Sequence, residues 1–133
     1  MPIILKGKKV TLRPLSLNDA KNFCDWLDDG EVTTFLTVHE MPKLNIKEER
    51  GWITKAKSSK TGVHLAIDAA DGQHIGSISL LNINQYHKNA EFGIMIGHKK
   101  YWGQGYGTEA TKLMIGYGFK KLKLHKISLN FIA

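Results

Sequence analysis

The sequence predicts a single α/β domain built from short strands and amphipathic helices. The chain has 133 residues, of which 42% are hydrophobic and 23% charged, as expected for an ordinary globular domain with one core. Several segments alternate apolar and polar residues as half-buried strands do, while others repeat apolar residues at helical spacing. A glycine-rich stretch at residues 103–107 separates an apolar run from a helical pattern.

The first half of the chain predicts one strand followed by two helices. Residues 10–15 alternate as a strand, and Ser16 or Asn18 can then cap a helix that stops at Gly30. The apolar positions of this helix are Ala20, Phe23, Cys24 and Leu27. A second helix is predicted over residues 46–58, and its tryptophan is expected to pack rather than to stack on a substrate. The residues expected near its buried face are Ile46, Trp52, Ile53 and Ala56.

The second half predicts four strands and one long helix. The strands are expected at residues 63–67, 75–81, 90–96 and 127–132. Asp71 and Gly72 join the first two as a hairpin, and a polar turn over residues 82–89 precedes the third. Thr108 is expected to cap the helix between the third and fourth strands. The buried stripe expected on this helix comprises Ala110, Leu113, Met114 and Tyr117.

The most informative motif is the glycine-rich stretch, which starts after Trp102 and ends at the helical pattern. Glycine carries no Cβ and permits positive φ, so peptide N–H groups at Gly103, Gly105 and Gly107 can converge where the helix begins. A helix N-terminus adds unpaired donors and partial positive charge, which favours an anion such as phosphate. The nucleoside-triphosphate loop lacks a match here, because it requires Gly-Lys-Ser/Thr. The dinucleotide motif fails as well, because its third glycine falls on Thr108.

Five segments together resemble the GCN5-related N-acetyltransferase (GNAT) superfamily, and within it the RimJ/RimL-like branch. The segments are residues 10–15, 18–20, 75–78, 90–97 and 101–110. The resemblance covers essentially the whole chain and is most specific around the glycines. It implies an α+β fold with a mixed, mostly antiparallel sheet that turns parallel at its fourth and fifth predicted strands, flanked by helices. One departure is Trp102, which stands where the family motif usually has Gln or Arg.

The resemblance implies an enzyme that moves acetyl from acetyl-CoA to a primary amine by direct attack in a ternary complex, without a metal. The acceptor would be a protein N-terminus, a polyamine or a small amine. Main-chain groups of the strand would hold the pantetheine and acetyl carbonyl, and the glycine-rich stretch would hold the pyrophosphate. The cofactor-binding residues so implied are Ile94, Met95, Ile96, Trp102, Gly103, Gln104, Gly105, Tyr106, Gly107 and Thr108. Glu91 is the candidate general base, with an exposed glutamate at a strand end as the alternative.

Relatives in this superfamily continue into a further helix, which often carries a tyrosine as general acid, and into two more strands. None of that pattern is present before Ala133, so we expect residues 1–133 to be one GNAT domain truncated at its C-terminus. Tyr106 and Tyr117 are poor substitutes for the acid, because one lies in the loop and the other in an apolar stripe. A non-catalytic module that binds CoA is therefore an alternative function.

The net charge of +7 is concentrated in residues 97–126, where seven lysines face one acid, Glu109. The lysines are Lys99, Lys100, Lys112, Lys120, Lys121, Lys123 and Lys126. A basic field there would concentrate the anionic coenzyme. A solvated lysine face is the plain alternative. A nucleic-acid surface is disfavoured by the scarcity of arginine and the lack of a known binding motif.

Other chemistries and partners find little support. The six histidines show no metal-ligand spacing, and Ser77 and Ser79 lie in an alternating strand rather than in a nucleophile elbow. Asp28, Asp29 and Glu31 could attract a cationic amine, although such a cluster is more often a solvated helix end. Cys24 is the single cysteine of the sequence, and we expect its side chain to be a small buried hydrophobic group. Because one cysteine cannot form an intrachain disulfide, we expect the protein to be located in a reducing cytoplasm. We expect no membrane contact, and a homodimer stays open.

Overall fold

The computed structural model describes residues 3–27 and 45–129, which form a six-stranded sheet with helices on both faces. The strands are β1 (Leu5–Lys6), β2 (Val10–Pro14), β3 (Val63–Ala69), β4 (His74–Asn84), β5 (Asn89–Ile96) and β6 (Lys126–Leu129). The helices are α1 (Ala20–Leu27), α2 (Ile46–Lys57) and α3 (Tyr106–Lys120), with 3₁₀ turns at Leu17–Asp19 and Lys99–Tyr101. None of the helices in these ranges is long and apolar enough to cross a bilayer.

The strands lie in chain order from β1 to β6, and each pair is antiparallel except the last. β5 and β6 run parallel, joined by α3 as the crossover. The predicted change from antiparallel to parallel pairing is therefore confirmed. The sequence did not indicate β1, which has only two residues and so shows no periodicity.

The sheet separates two hydrophobic clusters. The α3-side core comprises the buried residues Val10, Leu12, Leu65, Ile67, Ala69, Ile75, Ile78, Leu80, Ala90, Phe92, Tyr101, Ala110, Met114 and Leu124. The α1/α2-side core comprises Leu15, Ala20, Phe23, Trp26, Ile53, Ala56 and Ala66. Because successive side chains of a strand point to opposite faces, β5 contributes Phe92 to the first cluster and packs Met95 against the second.

Capping boxes start the helical segments on the α1/α2 side. The Ser16 hydroxyl accepts from Asn18 N–H, and the Asp19 carboxylate accepts from Ser16 N–H. Of the two caps that the sequence offered, Ser16 is therefore the one that the structure uses. The first turn is 3₁₀, however, and α1 begins only at Ala20. The predicted end of this helix at Gly30 lies outside the described residues. Asn45 and Glu48 cap α2 in the same reciprocal way.

Several predicted details are wrong. β4 extends to Asn84, so the polar turn is shorter than predicted, and Asn82 takes a positive φ of 50° inside an irregular stretch of the ladder. On α2, Ile46 is exposed while Glu49 is buried, because the capping box turns the first residue of the helix toward solvent. Cys24 is only half-buried, although burial does raise the pKa of its thiol.

A partly buried ion-pair network joins β2, β3 and the first 3₁₀ turn. The Arg13 guanidinium donates to Asp68 at 2.7 Å and to Asp19 at 2.9 and 3.0 Å. Burial alone would raise the pKa of Asp19, but the hydrogen bonds from Arg13 and from the Ser16 amide lower it. His74 lies beside the pair, with Nδ1 2.9 Å from the Asn22 side-chain amide and Nε2 3.0 Å from the Gly76 carbonyl.

Glu109 connects α3 to the turn between β1 and β2. Its carboxylate accepts hydrogen bonds from the main-chain N–H groups of Lys8 at 2.8 Å, Lys9 at 2.5 Å and Val10 at 2.8 Å. The carboxyl carbon would lie only 2.7 Å from a Cβ on Gly7, so the turn must close over it without a side chain there. Residues about a hundred positions apart in sequence are thereby held together.

We predict that Glu109→Gln lowers the free energy of unfolding at neutral pH by about 1–3 kcal/mol, because hydrogen bonds to an ionised acceptor are replaced by weaker ones. Partial burial acts to raise the pKa of Glu109, but the three amide hydrogen bonds lower it below its usual 4.5. A lowered folded-state pKa means that the stabilisation is present above pH 4.5 and is lost as the pH falls through the folded value. Urea unfolding between pH 7 and pH 3 should show the two proteins converging in acid. A gap that stays constant with pH would contradict this.

We predict that Gly76→Ala destabilises the protein by about 1–3 kcal/mol or more, because a Cβ would overpack the sheet. That Cβ would lie 2.0 Å from the main-chain oxygen of Met95, which cannot move without breaking the β4–β5 ladder. Gly51→Ala is the matched control, since a Cβ there meets no described atom within 4 Å and the residue lies inside α2. We expect the control to gain about 0.5–1 kcal/mol. Thermal melts that rank the two variants equally would contradict the prediction.

Candidate functional site

The glycine-rich stretch forms the turn that starts α3. Gly103 has φ 71° and Gly105 has φ 85°, and Gly105 is the N-cap of α3. Both angles are in the left-handed region that favours glycine. Because Gly105 offers no side chain as a cap, it leaves the first amides of the helix available to another acceptor. A Cβ on Gly103 would meet no described atom within 4 Å, so the turn is open on that side.

The prediction that Thr108 caps the helix is wrong. The N-cap is Gly105, a left-handed residue three positions before the threonine, so α3 begins at Tyr106. Thr108 instead lies exposed in the first turn. Gln104 closes the loop by donating from its side-chain amide to the Lys100 carbonyl at 2.7 Å.

The start of α3 rests on the end of β5 and on neighbouring aromatic rings. A Cβ on Gly107 would lie 3.6 Å from Ile96 Cγ1, which is ordinary contact distance. The Tyr106 ring meets the edge of Tyr101 at 5.1 Å between ring centroids, and the Lys9 ammonium lies 5.2 Å from the Tyr106 centroid. The first amides of α3 are thus placed beside the last residues of β5.

Trp102, the departure from the usual motif, holds the end of β5. Its indole Nε1 donates to the Ile96 carbonyl at 2.6 Å, and its ring packs against the α1/α2-side core. The tryptophan therefore contributes main-chain anchoring and packing at the position where the motif has a polar side chain.

β5 is paired differently along its length. Asn89–Phe92 pairs with β6 on one edge and β4 on the other, whereas Ile94, Met95 and Ile96 pair with β4. In the described part of the chain, which ends at residue 129, the last pair of the ladder with β6 is Phe92 with Leu129. The side chains of Ile94 and Ile96 pack against the α3-side core, as predicted.

Glu91 lies in β5 on the same face as Met95, toward α1 and α2. It is half-buried, and its carboxylate accepts a hydrogen bond from the Asn82 side-chain amide at 2.7 Å. The structure therefore places it on the strand that carries the site, on the α1/α2 face. Its role as a base stays a prediction.

A polar pair on this face was missed by the sequence reasoning. His64 Nδ1 lies 2.9 Å from Ser79 Oγ, and Ser79 lies opposite Gly93 in the ladder between β4 and β5. The histidine had been weighed only as a metal ligand and the serine only as a nucleophile. The predicted turn alone could not establish the pair, because a register shift between Ile67 and Asp68 lies between the turn and these two residues.

The surface charge agrees with the pattern in the sequence. All seven lysines of residues 97–126 are exposed, whereas Glu109 is engaged by the β1–β2 turn. In the described part of the chain, no group of three or more His, Cys, Asp or Glu side chains could hold a metal ion. The acidic cluster Asp28, Asp29 and Glu31 lies outside the described residues.

Comparison with known proteins identifies the same family. The family model described as an acetyltransferase (GNAT) domain matches residues 9–132. An uncharacterized N-acetyltransferase, p20 of Bacillus licheniformis, is 28% identical over 128 residues, which cover 92% of this chain and 70% of that protein. The spermidine N(1)-acetyltransferase of Vibrio cholerae is 34% identical over 124 residues, which cover 93% and 70%.

A solved structure supports the fold. The crystal structure of spermidine N-acetyltransferase from Vibrio cholerae in complex with CoA and spermine superposes with a TM-score of 0.80 at 25% identity, covering 92% of this chain and 71% of that one. The matches to these three proteins thus span about 70% of their length. Because the family model covers nearly all of the sequence, and the sheet, the crossover helix and the glycine turn agree with it, the chain belongs to the GNAT acetyltransferase family.

Proposed function

We propose that this protein transfers acetyl from acetyl-CoA to a primary amine by direct attack in a ternary complex. The observation that carries the proposal is the glycine turn, whose left-handed residues leave the first amides of α3 open beside the last residues of β5. A site for an anion thus lies next to the strand whose main chain we assign to the acyl arm. A thioester carrier with a pyrophosphate needs both.

The turn fits the phosphate end of the carrier. Two left-handed glycines bring main-chain N–H groups to the start of a helix, where the dipole favours negative charge. The surrounding exposed lysines add a positive field that draws an anionic molecule toward this end of the sheet. The N–H groups of Gly103, Gly105 and Gly107 would hold the pyrophosphate, with Gln104 and Trp102 fixing the loop that presents them.

β5 fits the acyl end. When bound, acetyl-CoA supplies a thioester whose carbonyl carbon is open to attack by an amine. The main chain of Ile94, Met95 and Ile96 would bind the pantetheine arm and donate to the acetyl carbonyl, where negative charge develops in the transition state. Strand geometry keeps these amides rigid, since the other edge of β5 is held by β4.

Glu91 acts as the base in this proposal. An amine acceptor is an ammonium ion at neutral pH, so it must lose one proton before its nitrogen can attack. Glu91 takes that proton, directly or through water. The N–C bond then forms as the C–S bond breaks, and the second proton that leaves the nitrogen neutralises the released thiolate. No acyl-enzyme is required.

The acceptor is proposed to be a polyamine or another primary alkyl amine. Several relatives are described as spermidine acetyltransferases, and one of them was solved with CoA and spermine, whereas two others are described as ribosomal or ribosomal-protein acetyltransferases. A carboxylate on the α1/α2 face agrees with a cationic acceptor. Calorimetric titration with CoA and thiol release from acetyl-CoA, in the presence of spermidine and of butylamine, test the proposal. Absence of CoA binding would overturn it, and binding without turnover would favour a non-catalytic module.

We predict that Gly105→Ala weakens CoA binding at least tenfold, because the left-handed N-cap costs a residue with a Cβ about 1–2 kcal/mol and the amides then shift. Gly116→Ala is the matched control in the same helix, since a Cβ there meets no described atom within 4 Å. Titration calorimetry of both variants should show the loss only at the cap. Equal affinities would contradict the role of the turn.

We predict that Glu91→Gln lowers kcat about 100-fold or more at neutral pH, as the loss of a general base typically does. The amide keeps the shape of the side chain and can still accept from Asn82, so the melting temperature and the affinity for CoA should stay near those of the parent protein. Steady-state kinetics with saturating acetyl-CoA measure the effect. An unchanged kcat would exclude Glu91 as the base.

A further inference from the structure

A hollow lies over Gly93 on the face of the sheet that carries α1 and α2. Gly93 stands between Glu91 and Met95, and the alternation of the strand directs all three positions toward that face. A Cβ on Gly93 would meet no described heavy atom within 4 Å, although the residue lies in the middle of a paired strand. Among the described residues, the sheet is therefore bare at one point, directly beside the main chain that the proposed function assigns to the acetyl group.

Ser79 forms the side of this hollow. It is the direct cross-strand partner of Gly93, and side chains of such partners stand about 4.5–5.5 Å apart at Cβ. Its hydroxyl is held by His64 on the next strand, with 2.9 Å between Oγ and Nδ1. His64 on β3, Ser79 on β4 and Gly93 on β5 thus lie in one row across the sheet, with an imidazole, a hydroxyl and an open space side by side.

His64 is placed to set the direction of that hydroxyl. Its ring meets the edge of Trp52 from α2 at 5.6 Å between centroids, and burial lowers its pKa, so the imidazole is neutral at neutral pH. With its proton on Nε2, the ring accepts the Ser79 O–H at Nδ1. The lone pairs of Ser79 Oγ then remain available to an N–H donor in the hollow.

Building on the proposed acetyl transfer, we propose that the hollow over Gly93 receives the reacting nitrogen of the acceptor, that Ser79 binds it by accepting an N–H, and that His64 is the positioning residue for Ser79. Glu91, two residues before Gly93 on the same face, takes the proton that the ammonium ion must lose before attack. The hydrogen bond to Ser79 occupies a second N–H of the amine, so the nitrogen lone pair is directed away from the serine, toward the main chain of β5.

Filling the hollow provides the first test. Gly93→Ala adds one methyl group where there is space, so the melting temperature and the affinity for CoA should stay unchanged. We expect kcat/KM for spermidine and for butylamine to fall about 100-fold, because the methyl group displaces the reacting nitrogen. Gly51→Ala, in α2, is the control for a glycine-to-alanine change in open space. Undiminished turnover by Gly93→Ala would overturn the inference.

Removing the hydroxyl provides the second test. Ser79→Ala should raise KM for the amine about tenfold, the value of a lost hydrogen bond of this kind, and leave KM for acetyl-CoA unchanged. Ser77→Ala is the matched control, because Ser77 shares the strand and the face but pairs with Met95 instead of Gly93. Equal amine KM values in the two variants would overturn the inference.

His64 is tested through its partner. His64→Ala should reproduce the rise in amine KM, His64→Asn should restore part of it by returning an acceptor near Nδ1, and neither change should matter once Ser79 is alanine. Additive effects in the double variant would show a purely structural role and overturn the positioning claim. A parent protein that binds CoA but acetylates neither amine would overturn the proposed function and this inference together. Turnover insensitive to Gly93 and Ser79 would overturn this inference alone.

Discussion

The contact on which the site depends most is the one between the Glu109 carboxylate and three amides of the β1–β2 turn. Glu109 belongs to the first turn of α3, so this contact fixes the helix start relative to the sheet edge where β1 and β2 lie. The glycines of the turn place little restriction on its backbone angles. The Glu109 contact holds the helix that follows them, and it thereby pre-organises the turn amides for an anion.

β5 divides the site into two chemically different halves. One edge of the strand is closed by β4, and the proposed function assigns the main chain of its last residues to the donor. Its side chains alternate between a face packed on α3 and a face that carries Glu91 and the bare position of Gly93. Donor binding through the strand edge and acceptor binding over the strand face can therefore coexist without competing for the same atoms.

The sequence correctly predicted those features of the fold that depend on neighbouring residues. The hairpin at Asp71-Gly72, the helix cap at Ser16 and the strand–turn–helix order around the glycines all depend on neighbouring residues, and all three are present. Thr108 was assigned as a cap because hydroxyls suit that position, but the left-handed Gly105 starts the helix first. The Glu109 anchor involves partners about a hundred residues away, and no periodicity reports it. The His64–Ser79 pair depends on the register of the hairpin, which shifts between Ile67 and Asp68 and so cannot be counted from the turn.

Glycine serves this site in three distinct ways, and together they separate the two substrates. At Gly103 and Gly105 it supplies backbone angles, and the exposed amides and lysines make that end of the sheet suited to an anion. At Gly76 it permits the backbone of β4 and β5 to approach, because a Cβ would strike the Met95 carbonyl. At Gly93 it leaves space among the described residues, on a face that also carries the Glu91 carboxylate and the neutral His64 imidazole, a setting that suits a cation about to lose a proton. In the proposed function, an anionic donor therefore lies at the helix start and a cationic acceptor lies over the face of one strand, and the two meet beside Gly93.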